Sequence, residues 1–147
     1  MDGGTRGGLR STGSSLLLTL GPGVFALDVT AVQEVLPLTT LHGYPGAPAH
    51  VAGFLDYRGQ PIVAYDVCRL HLGHQSIRRR STRLLVVRDG GDPFALIVEG
   101  VREATRLADS QSRTHVSADG LTHRTSIAEL LPATERWSPN SAAPPTA

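Results

Sequence analysis

The segment FALDVTAVQEVLPL, residues 25–38, occurs twice in this chain, the second time as FALIVEGVREATRL at residues 94–107. The two copies lie 69 positions apart and are identical at seven of fourteen positions: Phe, Ala, Leu, Val, Val, Glu and Leu. In the first copy Phe25, Leu27 and Val29 alternate with other residues, as in a strand with one apolar face. A repeat of this kind predicts a fold assembled from two similar units.

Short strands joined by glycine turns are predicted around both copies. SLLLTL and VFALDV flank the turn GPG, and RLLVVR and FALIVE flank DGGDP, so each pair is predicted to form a hairpin. VAGFLDYRG and QPIVAYDV form a further pair around the turn Arg58–Gly59. In TAVQEV, by contrast, Val32 and Val35 have helical spacing, which predicts a short amphipathic helical turn. CRLHL predicts one helical turn that ends at Gly73.

The predicted strands favour closed barrels. A single pair of strands is only marginally stable in water, and about five short strands that close on each other leave no exposed edge. We therefore expect one domain at residues 14–137, with a first barrel at about 16–75 and a second at about 82–131, either consecutive or intertwined. The second barrel is expected to be reduced, because GLTHRTSIAELL at 120–131 carries polar residues where the first unit has an apolar strand.

Composition excludes several classes of protein. The 147 residues carry a net charge of +1, which is too small for a generic nucleic-acid-binding protein. The single cysteine, Cys68, excludes an intrachain disulfide and favours a reducing cytoplasm. No apolar run approaches the roughly 20 residues of a membrane span, so no direct membrane insertion is expected. Residues 1–13 are rich in Gly and residues 138–147 in Pro, Ser and Ala, so both tails are expected to be disordered.

Four short motifs resemble the pattern of the CheW family of bacterial chemotaxis adaptors. They are Val32, Glu34 and Val35; Pro48, Val51 and Gly53; Asp56-Tyr57-Arg58-Gly59; and Asp66-Val67. No single motif is specific, but their order and spacing match the family without gaps. Together with the internal repeat, the resemblance extends from about residue 16 to about residue 131.

The resemblance implies a mainly β fold of two five-stranded SH3-like β-barrels with short helices, and no catalytic activity, metal or cofactor. It implies an adaptor that couples the cytoplasmic tips of chemoreceptors to the regulatory domain of a CheA-type histidine kinase, with kinase and adaptor alternating in rings. Nucleic acid is not an expected partner. The receptor- and kinase-binding residues implied by the resemblance are Val32, Gln33, Glu34, Gly53, Arg58 and Gly59.

The chain also departs from the family pattern. It has Asp56 where the family has Asn and Tyr57 where the family has Leu, and Pro61 lies just upstream of the usual position of a proline in the fourth strand. The altered end of the second unit is the larger departure. It raises a second hypothesis within the same class, a degenerate adaptor that binds only one of the two partners.

Glu34 and Arg58 are 24 residues apart and are predicted to meet where the segment after the first hairpin packs on the next strand pair. An arginine–carboxylate pair fixes the pose of the guanidinium, although at the surface it adds only ~0–1 kcal/mol to stability. Three simpler interpretations stay open. The two charges are independent and solvated, Gly53 marks a bulge without any partner, or Val32 belongs to the core.

Two other constellations suggest different functions. Cys68, His71 and His74 have a Cys-x-x-His-x-x-His spacing, but zinc prefers four ligands and the third residue points away on a helix, so a buried thiol and two surface histidines are expected. Nothing nearby marks Cys68 as an activated nucleophile.

The run RRRSTR at 78–83 makes a small β-barrel nucleic-acid-binding protein the alternative from another class. No aromatic residue interleaves with these arginines, so a solvated linker is the simpler interpretation.

Overall fold

The computed structural model describes residues 14–104, 114–117 and 120–139, and within them the fold is mainly β. The strands are β1 (Ser15–Leu20), β2 (Gly23–Asp28), β3 (Val32–Pro37), β4 (Val51–Tyr57), β5 (Gln60–Asp66), β6 (Arg83–Val87), β7 (Phe94–Val98), β8 (Gly100–Ala104), β9 (Thr114–Ser117) and β10 (Gly120–Arg124). The helices are α1 (Val67–Leu72) and α2 (Ile127–Leu130), and 3-10 turns span Val29–Ala31 and Ala133–Glu135. None of these described helices is long and apolar enough to cross a membrane. The tails predicted to be disordered, 1–13 and 138–147, lie outside the described residues except for 138 and 139.

The strands form two five-stranded sheets with the same topology. Sheet A has the order β9-β10-β2-β1-β8, and sheet B has the order β4-β5-β7-β6-β3. In each sheet an antiparallel hairpin, β1–β2 or β6–β7, has a parallel neighbour on one side, β10 or β5. On its other side lies a strand that arrives from the other sheet, β8 or β3. The predicted mainly β fold of two five-stranded units with short helices is confirmed.

Each copy of the repeat connects the two sheets. The first copy runs from β2 in sheet A into β3 in sheet B, and the second runs from β7 in sheet B into β8 in sheet A. Both sheets therefore contain strands from both halves of the chain, and a division at 16–75 and 82–131 does not separate them. The strands of the two predicted units are intertwined. A copy crosses over because its second strand pairs with the hairpin of the other sheet.

The segment TAVQEV, predicted as a helical turn, is a 3-10 turn followed by strand β3. Asp28 caps the turn, since its Oδ1 accepts hydrogen bonds from the N–H and the hydroxyl of Thr30 at 2.9 and 2.8 Å. From Val32 onward the backbone pairs with β6 at five positions. These long-range hydrogen bonds outweigh the local spacing, and β-branched valines also favour an extended backbone. The helical turn predicted at CRLHL is confirmed as α1, which ends at Gly73.

The largest apolar cluster joins the two sheets. Sheet A contributes leucines of β1 and β2, and sheet B contributes residues of β5, β6 and β7: Leu16, Leu18, Leu20, Leu27, Tyr65, Leu85, Val87, Phe94, Leu96 and Val98. A second cluster belongs to sheet B and contains the alternate residues of β5, β6 and β7 together with two residues of β4: Ile62, Ala64, Leu84, Val86, Ala95, Ile97, Leu55 and Tyr57. This division follows from the two-residue period of a strand. Each fully buried large side chain contributes roughly 1.5–3 kcal/mol, so the shared cluster holds the two sheets together.

Two buried carboxylates anchor the connector between α1 and β6. Asp66 accepts hydrogen bonds from the N–H and hydroxyl of Ser76 at 2.9 and 2.6 Å. Glu99 accepts hydrogen bonds from the N–H groups of Gly21 and Ile77 at 2.9 and 2.6 Å. A buried carboxylate without such donors would be strongly destabilising. The backbone of the connector is thus fixed to both sheets, while the arginines at 78–80 are exposed.

Among the described residues, the last hairpin of the second unit pairs at fewer positions than its counterpart in the first. The hairpin β9–β10 pairs at four positions, compared with six positions for the equivalent hairpin β4–β5. Its last residues are the polar His123 and Arg124, as the sequence indicates. The reduction predicted for the second unit stays a prediction, because residues 105–113 and 118–119, which flank strand β9 of this hairpin, lie outside the described residues.

The shared cluster predicts how stability depends on pH. Burial raises the pKa of Tyr65 and of Cys68 above their ordinary values of 10.0 and 9.0, and nearby hydrogen bonds offset this only in part. A raised pKa means that the folded protein keeps a proton that the unfolded chain releases, so this stability is complete below about pH 9 and is lost as pH rises further. In urea titrations the free energy of unfolding should fall above pH 9, and it should fall less steeply between pH 9 and 10 in Cys68→Ala. An identical decline in both proteins would contradict the assignment to Cys68.

Candidate functional site

The turn between β4 and β5 places Arg58 at the surface. Tyr57 pairs with Gln60, so Arg58 and Gly59 form a two-residue hairpin turn. Both have positive φ, 52° and 81°, as in a type I′ turn. Arg58 is the one non-glycine residue with positive φ in the described part of the chain, and a turn of this type normally prefers Asn or Gly there. The arginine side chain is 71% exposed, so the turn presents its guanidinium to solvent.

Glu34 and Tyr57 hold the guanidinium of Arg58 in one pose. Glu34 Oε1 accepts hydrogen bonds from Arg58 Nη2 at 3.0 Å and from Tyr57 Oη at 2.7 Å. Tyr57 Oη in turn accepts a hydrogen bond from Gln33 Nε2 at 3.2 Å. The guanidinium carbon lies 5.1 Å from the centroid of the Tyr57 ring, which is a cation–π contact. The predicted contact between Glu34 and Arg58 is confirmed, and we name Gln33, Glu34, Tyr57 and Arg58 the Arg58 cluster.

A β-bulge in β3 helps to place Glu34 in the cluster. Val32 pairs with Val87 and Glu34 pairs with Val86, so Gln33 is an extra residue in β3. Bulges redirect side chains at sheet edges, and β3 is the edge strand of sheet B. Because Arg58 is mostly exposed, its ion pair with Glu34 stabilises the fold by only ~0–1 kcal/mol. The main effect of the contacts is to restrict Arg58, which then loses less conformational entropy when a partner binds.

Gly53 is required by a contact within the chain. It is buried, it lies at a register shift in β4, and its φ is +145°. A Cβ at this position would overlap the carbonyl oxygen of His42. His42 and Phe54 bond as a short bridge, with N–O distances of 2.9 and 2.8 Å. The backbone of the chain itself therefore approaches Gly53 closely, and a contact of Gly53 with a partner stays a prediction.

Val32 is half-buried and packs against the cluster that joins the sheets. The core interpretation left open by the sequence therefore applies to it. Of the six predicted site residues, the structure brings Gln33, Glu34 and Arg58 together, and Gly59 completes the turn that carries Arg58. Val32 and Gly53 instead support the strands on which the cluster stands.

The residues considered for metal binding or nucleophilic catalysis do not converge. Cys68 is fully buried, and burial raises its pKa, which keeps the thiol protonated at neutral pH. His71 donates from Nε2 to the carbonyl of Leu130 at 2.8 Å, and His74 is exposed beside Gln75. Within the described residues, no group of three or more His, Cys, Asp or Glu side chains is arranged to hold a metal ion.

Comparisons with known proteins identify the family. A family described as the CheW-like domain matches residues 14–130. The chain belongs to the CheW-like domain family. A similar solved structure is that of the scaffolding protein TtCheW from Thermoanaerobacter tengcongensis, with a TM-score of 0.74 and 16% sequence identity, covering 88% of this chain and 94% of that chain. This similarity shows a common CheW fold, while a search of curated proteins found no match.

Tyr57 belongs to the Arg58 cluster, but the sequence did not identify it as functional. There it was noted only because the CheW pattern has Leu at this position. The residue is 7% exposed and belongs to the cluster on sheet B, while its hydroxyl bonds both Gln33 and Glu34. The feature of the sequence that could have identified Tyr57 is its position directly before the turn Arg58–Gly59. A tyrosine at the end of a strand buries its ring and keeps its hydroxyl at the edge.

Replacing Gly53 tests the local architecture of the site. We expect Gly53→Ala to lower the free energy of unfolding by about 2 kcal/mol or more, because the added Cβ meets the backbone of His42 and the positive φ is strained. Gly43→Ala is the matched control, since nothing lies within 4 Å of a Cβ there. Urea denaturation of both variants measures the difference. Equal stability of the two variants would contradict the role assigned to Gly53.

Proposed function

We propose that this protein is a non-catalytic adaptor in a chemosensory array, which couples chemoreceptors to a CheA-type histidine kinase in the cytoplasm. The membership of the CheW-like domain family over residues 14–130 carries this proposal. The Arg58 cluster is the proposed centre of the contact surface. It contains three of the six residues expected to bind the receptor or the kinase, and Gly59 forms the turn beside them.

The geometry of Arg58 supports a role in binding. An arginine at positive φ is unfavourable relative to Asn or Gly, and its exposed ion pair contributes little to stability. The positive φ and the weak ion pair are both expected of an arginine that serves to contact a partner and does not serve to stabilise the fold. A guanidinium held by a carboxylate and an aromatic ring can still donate its remaining N–H groups to a carboxylate or a carbonyl of another protein. Arginine is also enriched among the residues that dominate binding energy at interfaces.

The proposed mechanism involves no bond formation or cleavage. The adaptor holds two partners in a fixed relative orientation, and a change in receptor conformation alters the kinase equilibrium through contacts that differ between the two states. Such coupling needs a rigid body. The buried cluster between the sheets and the anchored connector provide it, because both sheets share one core.

Arg58→Asn provides the test, since it preserves the turn. Asn tolerates positive φ, so we expect the free energy of unfolding to stay the same or to rise by up to about 1 kcal/mol. The same variant should bind at least one partner about tenfold or more weakly. Calorimetry would measure binding separately to a receptor-tip fragment and to the regulatory domain of a CheA-type kinase. Arg88→Asn is the matched control, since Arg88 is an exposed arginine at the turn between β6 and β7, and this variant should bind as wild type does.

The outcomes separate the hypotheses. Binding of both partners by the wild-type protein supports the coupling adaptor, and binding of one partner alone supports the degenerate adaptor. The polar residues His123 and Arg124 at the end of β10 support that second version. If the wild-type protein binds neither partner, the adaptor proposal is rejected.

A further inference from the structure

The basic residues of this chain are concentrated in one segment. Between Asp66 and Asp89 there are six arginines and no acidic residue, whereas the rest of the chain has eight arginines and thirteen acidic residues. The net charge of +1 therefore combines a positive segment with a negative remainder. The positive segment consists of α1, the connector at residues 73–82, β6 and the first residue of the next turn. Segregation of charge of this kind favours a partner of the opposite sign.

The connector holds three of these arginines on a fixed backbone. Besides its anchors to the two buried carboxylates described above, it is closed by hydrogen bonds around Thr82, which is fully buried. Thr82 Oγ1 accepts from the N–H of Arg79 and donates to the carbonyl of Ile77, both at 2.9 Å. The arginines of the connector are solvated, as the sequence indicates, but the backbone that carries them is held by contacts with both sheets.

The guanidinium groups on the connector are available to a partner. Arg78, Arg79 and Arg80 are exposed, and within the part of the chain that the structure describes their guanidinium groups take part in no hydrogen bond or ion pair. Arg83 differs from them, because its Nη1 donates to the carbonyls of Arg80 and Thr82. Neighbouring like charges repel one another, and an anion that pairs with them relieves this repulsion.

Arg78 also lines a pocket of about 380 Å³ at the end of hairpin β4–β5 that is remote from the turn. Arg69 of α1 lines the same pocket, and its Nη1 donates to the carbonyl of Gly73 at 3.3 Å. Among the described residues Asp66 is the one carboxylate in the wall, and both its oxygens already accept hydrogen bonds from Ser76. Two arginines therefore face one engaged carboxylate, which leaves the pocket positive. The rest of its wall is small or uncharged: Ala49, Val51, Ala52 and Gln75.

The shape and composition of the pocket favour a protein side chain over other anions. A carboxylate on an aliphatic stem fits a concave place with arginines and small apolar residues in its wall, because guanidinium groups bind carboxylates in a fixed, bidentate geometry. A lipid surface presents its anions on a plane that does not enter a concavity. A nucleobase would find no aromatic ring to stack on, since residues 66–83 contain no Phe, Tyr or Trp.

We propose that this pocket and the connector arginines form a binding surface for an acidic segment of a partner protein. An acidic side chain of the segment enters the pocket, and its carboxylate pairs with Arg69 and Arg78. Neighbouring carboxylates of the same segment pair with Arg79 and Arg80. Because the connector backbone is already fixed, little entropy is lost there when the segment binds.

This surface is separate from the Arg58 cluster. The two share no residue. Val51 begins β4 beside the pocket and Tyr57 ends it beside Arg58, so at roughly 3.3 Å per residue the two surfaces lie about 20 Å apart along the strand. The inference therefore does not depend on the proposed function.

An acidic peptide provides the test. Fluorescein-labelled hexaglutamate is titrated into the full-length protein at low salt and followed by anisotropy. We expect saturable binding that Arg69→Gln and Arg78→Gln each weaken by about tenfold, and that added salt weakens as well. Arg88→Gln is the matched control, since Arg88 is an exposed arginine of the same segment outside the pocket, and it should bind as wild type does. Arg58→Asn should also bind as wild type does, which separates this test from that of the proposed function.

Ala49→Leu tests the pocket without a change of charge. Ala49 is exposed and lines the pocket, so a larger side chain should fill the space and weaken peptide binding several-fold while urea denaturation shows unchanged stability. The proposal is overturned if hexaglutamate shows no saturable binding, if hexaglutamine binds as tightly, or if Arg69→Gln, Arg78→Gln or Ala49→Leu binds as tightly as Arg88→Gln. It is also overturned if a DNA duplex or a phosphatidylglycerol vesicle binds more tightly than the peptide and loses that binding in the same variants, since the partner is then a nucleic acid or a membrane.

Discussion

The apolar cluster between the two sheets is the interaction on which the rest of the structure depends. Leu16, Leu18 and Leu27 of sheet A meet Tyr65, Phe94 and Leu96 of sheet B there, and most of these side chains are almost fully buried. The repeat enforces this arrangement, since each copy gives its first strand to one sheet and its second strand to the other. Neither sheet can complete its strand order without the other. The two units are therefore one cooperative body.

The position of the candidate contact surface depends on this shared core. Edge strand β3 reaches sheet B only because the first copy crosses over, and its bulge carries Gln33 and Glu34 to the end of β4. The turn at Arg58 then projects a guanidinium that is already restrained on two sides. A rigid scaffold with an ordered, exposed arginine is well suited to holding partners in a fixed geometry.

Local patterns in the sequence predicted most strands, because glycine turns and two-residue alternation are set by neighbouring residues. The pairing of Glu34 with Arg58 was also predictable, as was the helical turn that ends at Gly73. The path of β3 was not, since Val32 and Val35 have helical spacing and the competing hydrogen bonds come from β6, some 50 residues away in sequence. The crossover of the chain between the sheets was not predicted for the same reason, because a sequence repeat does not show which hairpin each strand pairs with. Tyr57 acts through hydroxyl and ring contacts that depend on the folded arrangement.

Native-state hydrogen exchange tests the central claim most directly. Amides of β2 in sheet A and of β7 in sheet B are followed as low concentrations of denaturant are added. A shared core predicts that the slowest amides of both strands exchange through the same global opening, with one free energy and one denaturant dependence. If the amides of one sheet exchange through a separate opening of much lower free energy while the other sheet stays protected, the sheets are independent units and the account is wrong.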